Sequence, residues 1–483
     1  MRTIISLKKG VAGDINRRFL TPIDFELCEG EHLAVIGLNG SGKSTLIQTI
    51  TEQLFLREGT LSFNFGSNAH TYVSQNIRSV TFNDAYGTAN ADYYYQQRWN
   101  SQDSDRAPRV KDILSRENGA DPIWQARLYD MLGIPAMLEK PIVALSSGEL
   151  RKMHIAKLLL STPRVLIFES PFIGLDAPSR QLLTTLLQRL ITELPVQIIL
   201  VVTDPQEIPP FITHVYEVEG MRCLPKCTLQ EYRRKESLTV RSKGINAHAI
   251  QLPSIESTTP CTADEIVRFE NISIRYDERT IIDRLDWTIK NEEKWSLLGP
   301  NGSGKSTLLS LICADNPQAY SQNISLFGRK RGSGESIWEI KRHIGYLSPE
   351  MHRSYLVDIP AIKIVASGYY DTIGLFKKPT PEQEESCIDW LETFGITALR
   401  DRSFVKLSSG EQRLLLLIRA LVKNPDLLIL DEPFHGLDIL NKEKARAIIE
   451  KVADQPYKTI IYVTHYPEET PHCINKSLVL KHS

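Results

Sequence analysis

The sequence has no long apolar segment. Its richest apolar runs, Ile198–Val202 and Leu414–Ile418, are five residues long, whereas crossing a bilayer takes about 20 residues. Cysteine is also too scattered for a disulfide framework: the chain has seven, and Cys223 and Cys227 lack the second pair that a zinc site of this kind needs. The composition therefore predicts reduced thiols in a cytoplasmic protein that reaches a membrane only through a partner.

An excess of charge of either sign is missing as well. Lysine and arginine total 57 and aspartate and glutamate 58, for a net charge of −1, so no overall basic surface indicates a nucleic-acid partner. A local basic patch stays open as an alternative. A chain of 483 residues is too long for one compact core, and we expect two domains.

What the sequence does contain is the pattern GxxxxGK[ST], twice. Gly37–Ser44 returns 262 residues later as Gly299–Ser306, and each copy follows a short apolar run and precedes a helix-compatible stretch. This is the strand, loop and helix context of a phosphate-binding loop (P-loop), whose glycines let backbone N–H groups approach phosphate oxygens. The sequence therefore predicts two nucleotide sites.

The residue types of each P-loop indicate their chemistry. Lys43 and Lys305 would reach the β- and γ-phosphates of the nucleotide, and the hydroxyls of Ser44 and Ser306 would ligate Mg²⁺. The residues predicted to bind nucleotide in the two loops are Gly37, Asn39, Gly40, Ser41, Gly42, Lys43, Ser44 and Thr45, and Gly299, Asn301, Gly302, Ser303, Gly304, Lys305, Ser306 and Thr307.

Further landmarks recur at equal distances, which indicates a duplicated domain. The sequence LSSGE occupies residues 145–149 and 407–411, with its first serine 103 residues past the P-loop lysine in both cases. Apolar runs follow that end in Glu169 and Asp431, each 126 residues past its lysine. Such runs favour strands buried on both faces. We therefore predict an α/β fold with a mainly parallel sheet flanked by helices in each half.

A polar segment separates the two halves. Residues 231–262 mix charges, Ser and Thr with few large apolar side chains, which favours a linker. We predict a first nucleotide-binding domain over 1–230 and a second over 263–483. The linker is locally basic, and we interpret it as a solvated connector rather than a binding segment.

Together, the P-loops, the LSSGE runs and the apolar strand ending in Asp431-Glu432-Pro433 resemble the ATP-binding cassette (ABC) ATPases. In that family two cassettes face each other head to tail, and each ATP lies between one P-loop and the LSGGQ signature of the opposite cassette. The resemblance implies two tandem ABC nucleotide-binding domains, each with a helical subdomain, that hydrolyse ATP to ADP and phosphate. Both signatures here depart from the pattern, with serine for the first glycine and glutamate for the glutamine.

Two segments of the second half carry a narrower resemblance. Leu326–Trp338 and Ser367–Gly374 resemble the tandem cassettes called ModF or photorepair (PhrA) proteins. These are patterns of a subfamily rather than of a chemistry.

The family geometry implies that the site built on Lys305, the second site, can hydrolyse ATP. Asp431 would hold the Mg²⁺ shell, Glu432 would polarise the attacking water, and His465 would contact the γ-phosphate. Tyr276 stands at the spacing of an adenine-stacking aromatic, with a plain strand tyrosine as the alternative. The catalytic residues would be Glu432, His465 and Lys305; the remaining residues would be Ser306, Asp431 and Tyr276, with Ser146 and Gly148 from the other half.

The site built on Lys43, the first site, would lack the catalytic carboxylate. Its strand ends in Glu169-Ser170, and the hydroxyl of Ser170 offers water neither a base nor a negative charge. Asp204 is expected where the second half has His465. The residues implied for this site are Lys43, Ser44, Gln75 and Glu169, with Ser408 and Gly410 from the other half. The metal ligands of the two sites would be Ser44, Gln75 and Glu169, and Ser306 and Asp431.

The glutamine that senses the γ-phosphate in the family is predicted in the first half only. Tyr72–Gln75 aligns with Tyr346–Pro349, so Pro349 replaces this glutamine in the second half and Glu350 follows it. Because the catalytic carboxylate is expected in the second site alone, we expect the first site to retain nucleotide and the second to turn it over as the two halves of one chain close on each other.

Two classes of function stay open for that ATPase. One is a soluble ATPase that acts on nucleic acid or another macromolecule, and the other is the ATPase subunit of a membrane transporter, molybdate-related or another importer, held at the cytoplasmic face by a permease. The segment Asp84–Pro108, with Tyr93–Tyr95 and Trp99, is aromatic enough for a docking surface or a base-stacking platform. A locally packed insertion is the alternative.

Overall fold

The computed structural model describes residues 2–13, 19–67, 69–81, 108–116, 121–142, 145, 147–173, 175, 177–239, 250–253, 261–276, 279–300 and 302–481. The chain divides into two compact units, Met1–Gly244 and Ile245–Ser483. Each unit combines a mainly parallel sheet with a smaller antiparallel sheet and with helices. The predicted duplication of an α/β fold is therefore confirmed.

The first unit has an antiparallel sheet in the order β2-β1-β4 and a larger sheet in the order β10-β8-β3-β7-β6-β5, with β9 paired to β8. In the larger sheet β8, β3, β7, β6 and β5 are mutually parallel. The strands are β1 (Thr3–Ala12), β2 (Ile23–Cys28), β3 (Leu33–Ile36), β4 (Leu56–Phe63), β5 (Ile77–Thr81), β6 (Val165–Glu169), β7 (Gln197–Val202), β8 (His214–Glu219), β9 (Arg222–Cys223) and β10 (Cys227–Thr228).

Most helices of the first unit cover the larger sheet through apolar faces that join one buried cluster, whereas the helix after the P-loop joins the cluster of the antiparallel sheet. The α-helices are α1 (Lys43–Ile50), α2 (Val73–Asn76), α3 (Val110–Leu114), α4 (Pro122–Leu132), α5 (Ser147–Leu159), α6 (Ala177–Glu193) and α7 (Leu229–Thr239). Short 3₁₀ turns lie at Pro135–Met137 and Pro205–Glu207.

The second unit repeats this plan. Its antiparallel sheet has the order β12-β11-β14-β15, and its five-stranded sheet, β16-β17-β18-β13-β19, is parallel throughout. The strands are β11 (Glu265–Tyr276), β12 (Arg279–Lys290), β13 (Lys294–Leu298), β14 (Asn323–Leu326), β15 (Arg329–Lys330), β16 (Ile344–Leu347), β17 (Leu427–Asp431), β18 (Thr459–Val463) and β19 (Lys476–Val479).

In the second unit, helices pack around the long signature helix that follows residue 408. The α-helices are α8 (Lys305–Ile312), α9 (Ile337–Lys341), α10 (Pro349–Ser354), α11 (Ala361–Ala366), α12 (Pro381–Thr393), α13 (Ser409–Leu421) and α14 (Ile439–Ala453). The 3₁₀ turns are Pro317–Ser321, Ser367–Tyr369, Thr397–Leu399, Phe404–Lys406 and Pro467–Glu469.

The central strands are apolar on both faces because helices cover one face of each parallel sheet and the antiparallel layer covers the other. All five residues of β17 and all six of β7 are buried, as the four-residue apolar runs predict. Because parallel strands end at the same edge of a sheet, the carboxyl ends of β3, β6 and β7 lie along one edge, and those of β13, β17 and β18 along its counterpart. These two edges carry the candidate sites.

The start of the segment interpreted as a linker from residue 231 is helical. Helix α7 runs through Thr239, and Leu229 and Tyr232 are buried against the core of the first unit. Glu231 accepts hydrogen bonds from the N–H and the hydroxyl of Thr228 and so fastens the first turn. Among the described side chains of α7, residues 229–235, the other five are exposed, so its polar composition resembles that of a connector.

Candidate functional site

Each P-loop joins the end of a central strand to the start of a helix. The first lies between β3 and α1, and the second between β13 and α8. Gly42 and Gly304, directly before the helices, have φ angles of 110° and 93°, a conformation that a side chain would strain. A Cβ on Gly37 would lie 2.0 Å from the carbonyl oxygen of Val218. The loops therefore form close-fitting backbone cradles of the kind that hold phosphate groups.

The P-loop lysines lie across these cradles in the same way. The Nζ of Lys43 donates hydrogen bonds to the carbonyl oxygens of Gly37 (2.7 Å) and Leu38 (2.8 Å). The Nζ of Lys305 donates to those of Gly299 (2.7 Å) and Pro300 (2.9 Å). Both ammonium groups are thus held over the loop, where a bound phosphate would meet a positive charge.

The strands that end beside the two cradles share an unusual backbone turn. Ser170, after β6, has φ 52°, and Glu432, after β17, has φ 53°. The N–H of Ser170 donates to the carbonyl oxygen of Val201, and that of Glu432 to the carbonyl oxygen of Val463, both at 2.8 Å. A left-handed conformation at a residue other than glycine is strained and persists only where its surroundings impose it. The same strained position therefore presents a hydroxyl in one unit and a carboxylate in the other.

Glu432 occupies a buried and electrostatically unusual position. Its side chain is 9% exposed, and its Oε1 lies 3.3 Å from the Nε2 of His465. Burial raises the pKa of Glu432 to about 8; the nearby carboxylates of Asp431 and Glu469 add to the rise, and Arg413 and Lys305 oppose it. A carboxyl group with a pKa close to neutral, beside an imidazole, can accept a proton from water.

The first unit offers a hydroxyl and a carboxylate as metal ligands. The Ser44 hydroxyl lies 3.4 Å from Oε2 of Glu169. Burial raises the pKa of Glu169, and Ser44 and Lys43 oppose the rise. In the second unit the matching carboxylate, Asp431, is 8% exposed. Oxygen ligands of this type, together with phosphate oxygens, suit Mg²⁺, so the residues present fit that ion.

The position of Asp204 differs from the expectation. Glu169 pairs with Val201, and Asp431 pairs with Val463. His465 lies two residues past Val463, so the residue of the first unit in register with it is Thr203, two residues past Val201. Asp204 follows it, and its carboxylate accepts the N–H of Gln206 (2.9 Å) at the start of a 3₁₀ turn. The alignment of Asp204 with His465 is therefore wrong by one residue, because the shared threonine-containing dipeptides hide the register.

The position of Gln75 also contradicts its predicted role. Gln75 belongs to α2 and precedes β5, whose residue Ile77 pairs with Val165 while Thr81 pairs with Glu169. Gln75 therefore lies beyond the amino end of its strand, and the four steps from Ile77 to Thr81 alone separate it from the Glu169 end by roughly 13 Å at about 3.3 Å per residue. The prediction that Gln75 binds nucleotide and metal is wrong.

The strand pairing also shows which residues are equivalent in this region. Ile344 pairs with Leu427, the repeat equivalent of Val165, so β5 corresponds to β16 and the Tyr72–Gln75 segment has no counterpart in Tyr346–Pro349. Continuing the register past Thr81, the equivalent of Pro349 is residue 82, which lies outside the described residues.

Arg413 is a structural element of the second unit that the sequence reasoning missed. The residue is fully buried, and its guanidinium donates to the carbonyl oxygens of Ser348 (2.8 Å), Asp431 (2.7 Å) and Glu432 (2.6 Å). It joins the signature helix to the end of β17 and to the residue before Pro349. Arg151, at the equivalent position of the first unit, donates to the carbonyl oxygen of Ile173. The recurrence of an arginine four residues into both signature helices is the signal that could have revealed it.

The signature of the second unit begins α13 with a capping box. The hydroxyl of Ser408 lies 2.7 Å from the carboxylate of Glu411, which also accepts the N–H of Ser408 at 2.8 Å. Gly410 is buried in the first turn. In the first unit Gly148 belongs to α5, and Glu149 forms an ion pair with Lys140 at 2.7 Å.

Some predicted residues have no described geometry or serve another contact. Ser146, Asn301 and most of the Asp84–Pro108 segment lie outside the described residues. The hydroxyl of Tyr276 accepts a hydrogen bond from Asn316 (3.1 Å), and its ring packs against the core of the antiparallel layer. That packing suits the plain strand tyrosine, and stacking against adenine stays a prediction.

A family model described as "ABC transporter" matches residues 20–173 and 282–435, which contain both P-loops and the strand ends at Glu169 and Asp431. The chain belongs to this family. It is an ABC ATPase with two cassettes in one chain, as the sequence predicts, and ATP is its nucleotide. Within the part of the chain that the structure describes, no helix is long and apolar enough to cross a membrane.

Curated relatives share the tandem arrangement. The chain is 36% identical to "ABC transporter ATP-binding protein ModF" of Escherichia coli (strain K12) over 93% of its length and 91% of the relative's. It is 28% identical to an uncharacterized ABC transporter ATP-binding protein, C323.04, of Schizosaccharomyces pombe over 94% and 93%. The predicted resemblance to the ModF subfamily is therefore confirmed.

Solved structures share the fold at low identity. The chain in "Model of ribosome-bound archaeal Pelota and ABCE1" matches with a TM-score of 0.59 at 17% identity, over 94% of this chain and 74% of that one. A structure titled "RNase-L Inhibitor" matches with a TM-score of 0.54 at 17% identity, over 98% and 87%. At such identities these matches support the tandem fold alone.

Proposed function

We propose that this ABC protein uses its two sites unequally. ATP closes the two cassettes head to tail, the Lys305 site hydrolyses its ATP, and the Lys43 site retains its nucleotide. Each closed site combines one P-loop with the signature serine of the other cassette, Ser146 for the Lys305 site and Ser408 for the Lys43 site.

One observation carries the proposal: the strained residue after the catalytic strand is Glu432 in one unit and Ser170 in the other. A carboxylate at this point accepts the proton of an attacking water, and a neutral hydroxyl does not. The second difference points the same way, because His465 presents an imidazole near a developing phosphate charge, whereas Thr203 in the same register has none.

The residues of the Lys305 site have distinct roles in this proposal. Lys305 neutralises the β- and γ-phosphates, and Glu432 orients the water for an in-line attack. His465 would hold the orientation of Glu432 through their 3.3 Å contact and would donate to the γ-phosphate. A bound Mg²⁺, for which Ser306 and Asp431 are the proposed ligands, would supply charge neutralisation on the β- and γ-phosphate oxygens.

Paired substitutions test the inequality. Glu432→Gln removes the carboxylate and should lower steady-state ATP hydrolysis by on the order of 10²-fold or more, whereas Ser170→Ala should change it less than twofold. Phosphate release by the full chain with Mg·ATP is the measurement. Equal effects of the two substitutions would refute unequal sites.

Closure of the cassettes is proposed to act on a partner protein or nucleic acid. A cytoplasmic ATPase of this type works either on a macromolecule or, held at the membrane face, on a permease. Purification of the Glu432→Gln chain with ATP from detergent-solubilised cells distinguishes them. A co-purifying membrane permease supports the transporter role, and salt-sensitive recovery of DNA or ribosomes supports the macromolecular role.

A further inference from the structure

The signature serine of the second unit is held by its own helix. The hydroxyl of Ser408 and its backbone N–H both point to Oε2 of Glu411, at 2.7 and 2.8 Å. A serine hydroxyl has one proton to donate, and a phosphate oxygen offers only acceptors. As long as Glu411 accepts that proton, Ser408 has none to give to a nucleotide.

The two signatures differ in what surrounds this glutamate. Glu149 in the first unit is paired with the ammonium of Lys140 at 2.7 Å. The same repeat position in the second unit is the exposed Arg402, and among the described residues Glu411 has no ion pair within 4.0 Å. No described cation therefore pairs with the Glu411 carboxylate in the first turn of α13, where a γ-phosphate would bring a second negative charge.

We propose that Glu411 acts as a latch on Ser408: its carboxylate holds the Ser408 hydroxyl in a hydrogen bond that only a γ-phosphate displaces. The inference rests on the proposed head-to-tail function, in which Ser408 closes over the nucleotide of the Lys43 site. Closing requires the Ser408 hydroxyl to redirect its hydrogen bond from the Glu411 carboxylate to the γ-phosphate, and it brings these two anions closer together. Glu411 is thus a positioning residue that sets how strongly the retaining site favours ATP and how readily it opens again.

Glu411→Gln tests the latch because glutamine keeps the capping geometry and loses the charge. A hydrogen bond to a charged acceptor is roughly twice as strong as one to a neutral acceptor, so we expect the variant to bind ATP about tenfold more tightly. ADP affinity should stay unchanged, because ADP has no γ-phosphate to compete for Ser408. A role limited to helix capping would not produce this difference between ATP and ADP.

The experiment uses the full chain carrying Glu432→Gln, so that hydrolysis does not consume ATP, with Mg·ATP and Mg·ADP titrated in turn. Glu149→Gln is the matched control, expected to change ATP affinity less than twofold because Lys140 already neutralises that carboxylate. Adding Lys43→Ala should abolish the gain of Glu411→Gln, which assigns the effect to the first site. Glu411→Asp, with a shorter reach and the same charge, should give a smaller gain.

The outcomes separate this inference from the function on which it rests. Unchanged ATP affinity in Glu411→Gln, or an equal gain for ADP, would overturn the latch. Ser408→Ala should weaken ATP binding; if ATP binding were unaffected, the head-to-tail pairing itself would fail. Weaker binding in Ser408→Ala without a gain in Glu411→Gln would leave the pairing standing and refute the latch alone.

Discussion

The strands that end in Glu169 and in Asp431 follow the same backbone path and then present different chemistry. Both lead into a residue with φ close to 50° whose N–H bonds to the neighbouring strand at 2.8 Å. The strained turn is thus present at Ser170 although the side chain at this position has no carboxylate. Backbone and side-chain chemistry can therefore diverge separately: the sheet imposes the turn, whereas the proposed catalytic group depends on one side chain.

The largest difference between the two sites is expected at His465 and Thr203, which lie in register beside these strand ends. His465→Ala removes the imidazole next to Glu432 and should reduce ATP hydrolysis on the order of 30-fold, within the range for a positioned acid–base group. Thr203→Ala, the matched change in the first unit, should have less than a twofold effect. Phosphate release is the readout, and a large effect of Thr203→Ala would show that the first site hydrolyses ATP.

Introducing the missing side chains into the first site tests the difference between the two sites in the opposite direction. The variant Glu169→Asp, Ser170→Glu, Thr203→His gives the first unit the strand end of the second. Introduced into the Glu432→Gln chain, it should raise residual ATP hydrolysis about tenfold, because the backbone already holds the required conformation. The same three changes combined with Lys43→Ala serve as the control and should give no gain.

The pKa of Glu432 predicts a pH-dependent difference in stability without nucleotide. Because that pKa is raised to about 8 from an unfolded value near 4.5, the folded state binds a proton more tightly than the unfolded state, and the stability of the protein falls as pH rises between these values. Glu432→Gln removes this term, so its melting temperature should exceed that of the unmodified chain by a few degrees at pH 8 and by less at pH 5.

Thermal unfolding of both proteins across this pH range measures that gap. Ser170→Ala provides the control, since its difference from the unmodified chain should not vary with pH. A gap for Glu432→Gln that is constant from pH 5 to pH 8 would contradict the raised pKa.

The smallest effect is expected at Gln75. Because it lies at the amino end of β5, Gln75→Ala should leave ATP affinity and hydrolysis within twofold of the unmodified chain. Nucleotide titration and phosphate release check this. A loss of tenfold or more would restore the role that the sequence suggested and would contradict the strand register.

The P-loops and the strand ends were predictable because their spacing and apolar pattern follow local rules. Lys43 and Lys305 are fixed by a motif, and Asp431 by a buried strand that precedes it. Gln75 and Asp204 were aligned incorrectly because the alignment relied on short sequence matches, Tyr-x-Ser and a threonine-containing dipeptide. Only the pairing of the backbone strands defines which residues are in register. Arg413 contacts carbonyl oxygens far away in sequence, so no local pattern predicts its partners.

The inequality of the two sites is tested most directly by asking which nucleotide each site holds during turnover. The full chain, cycling with photoreactive azido-ATP and Mg²⁺, is irradiated and digested, with the label placed at either the α- or the γ-phosphate. If the two sites are unequal, γ-label is retained on peptides of the first unit near Lys43, and only α-label is found on peptides near Lys305. Equal retention of γ-label at both P-loops, or its loss from both, would contradict the account.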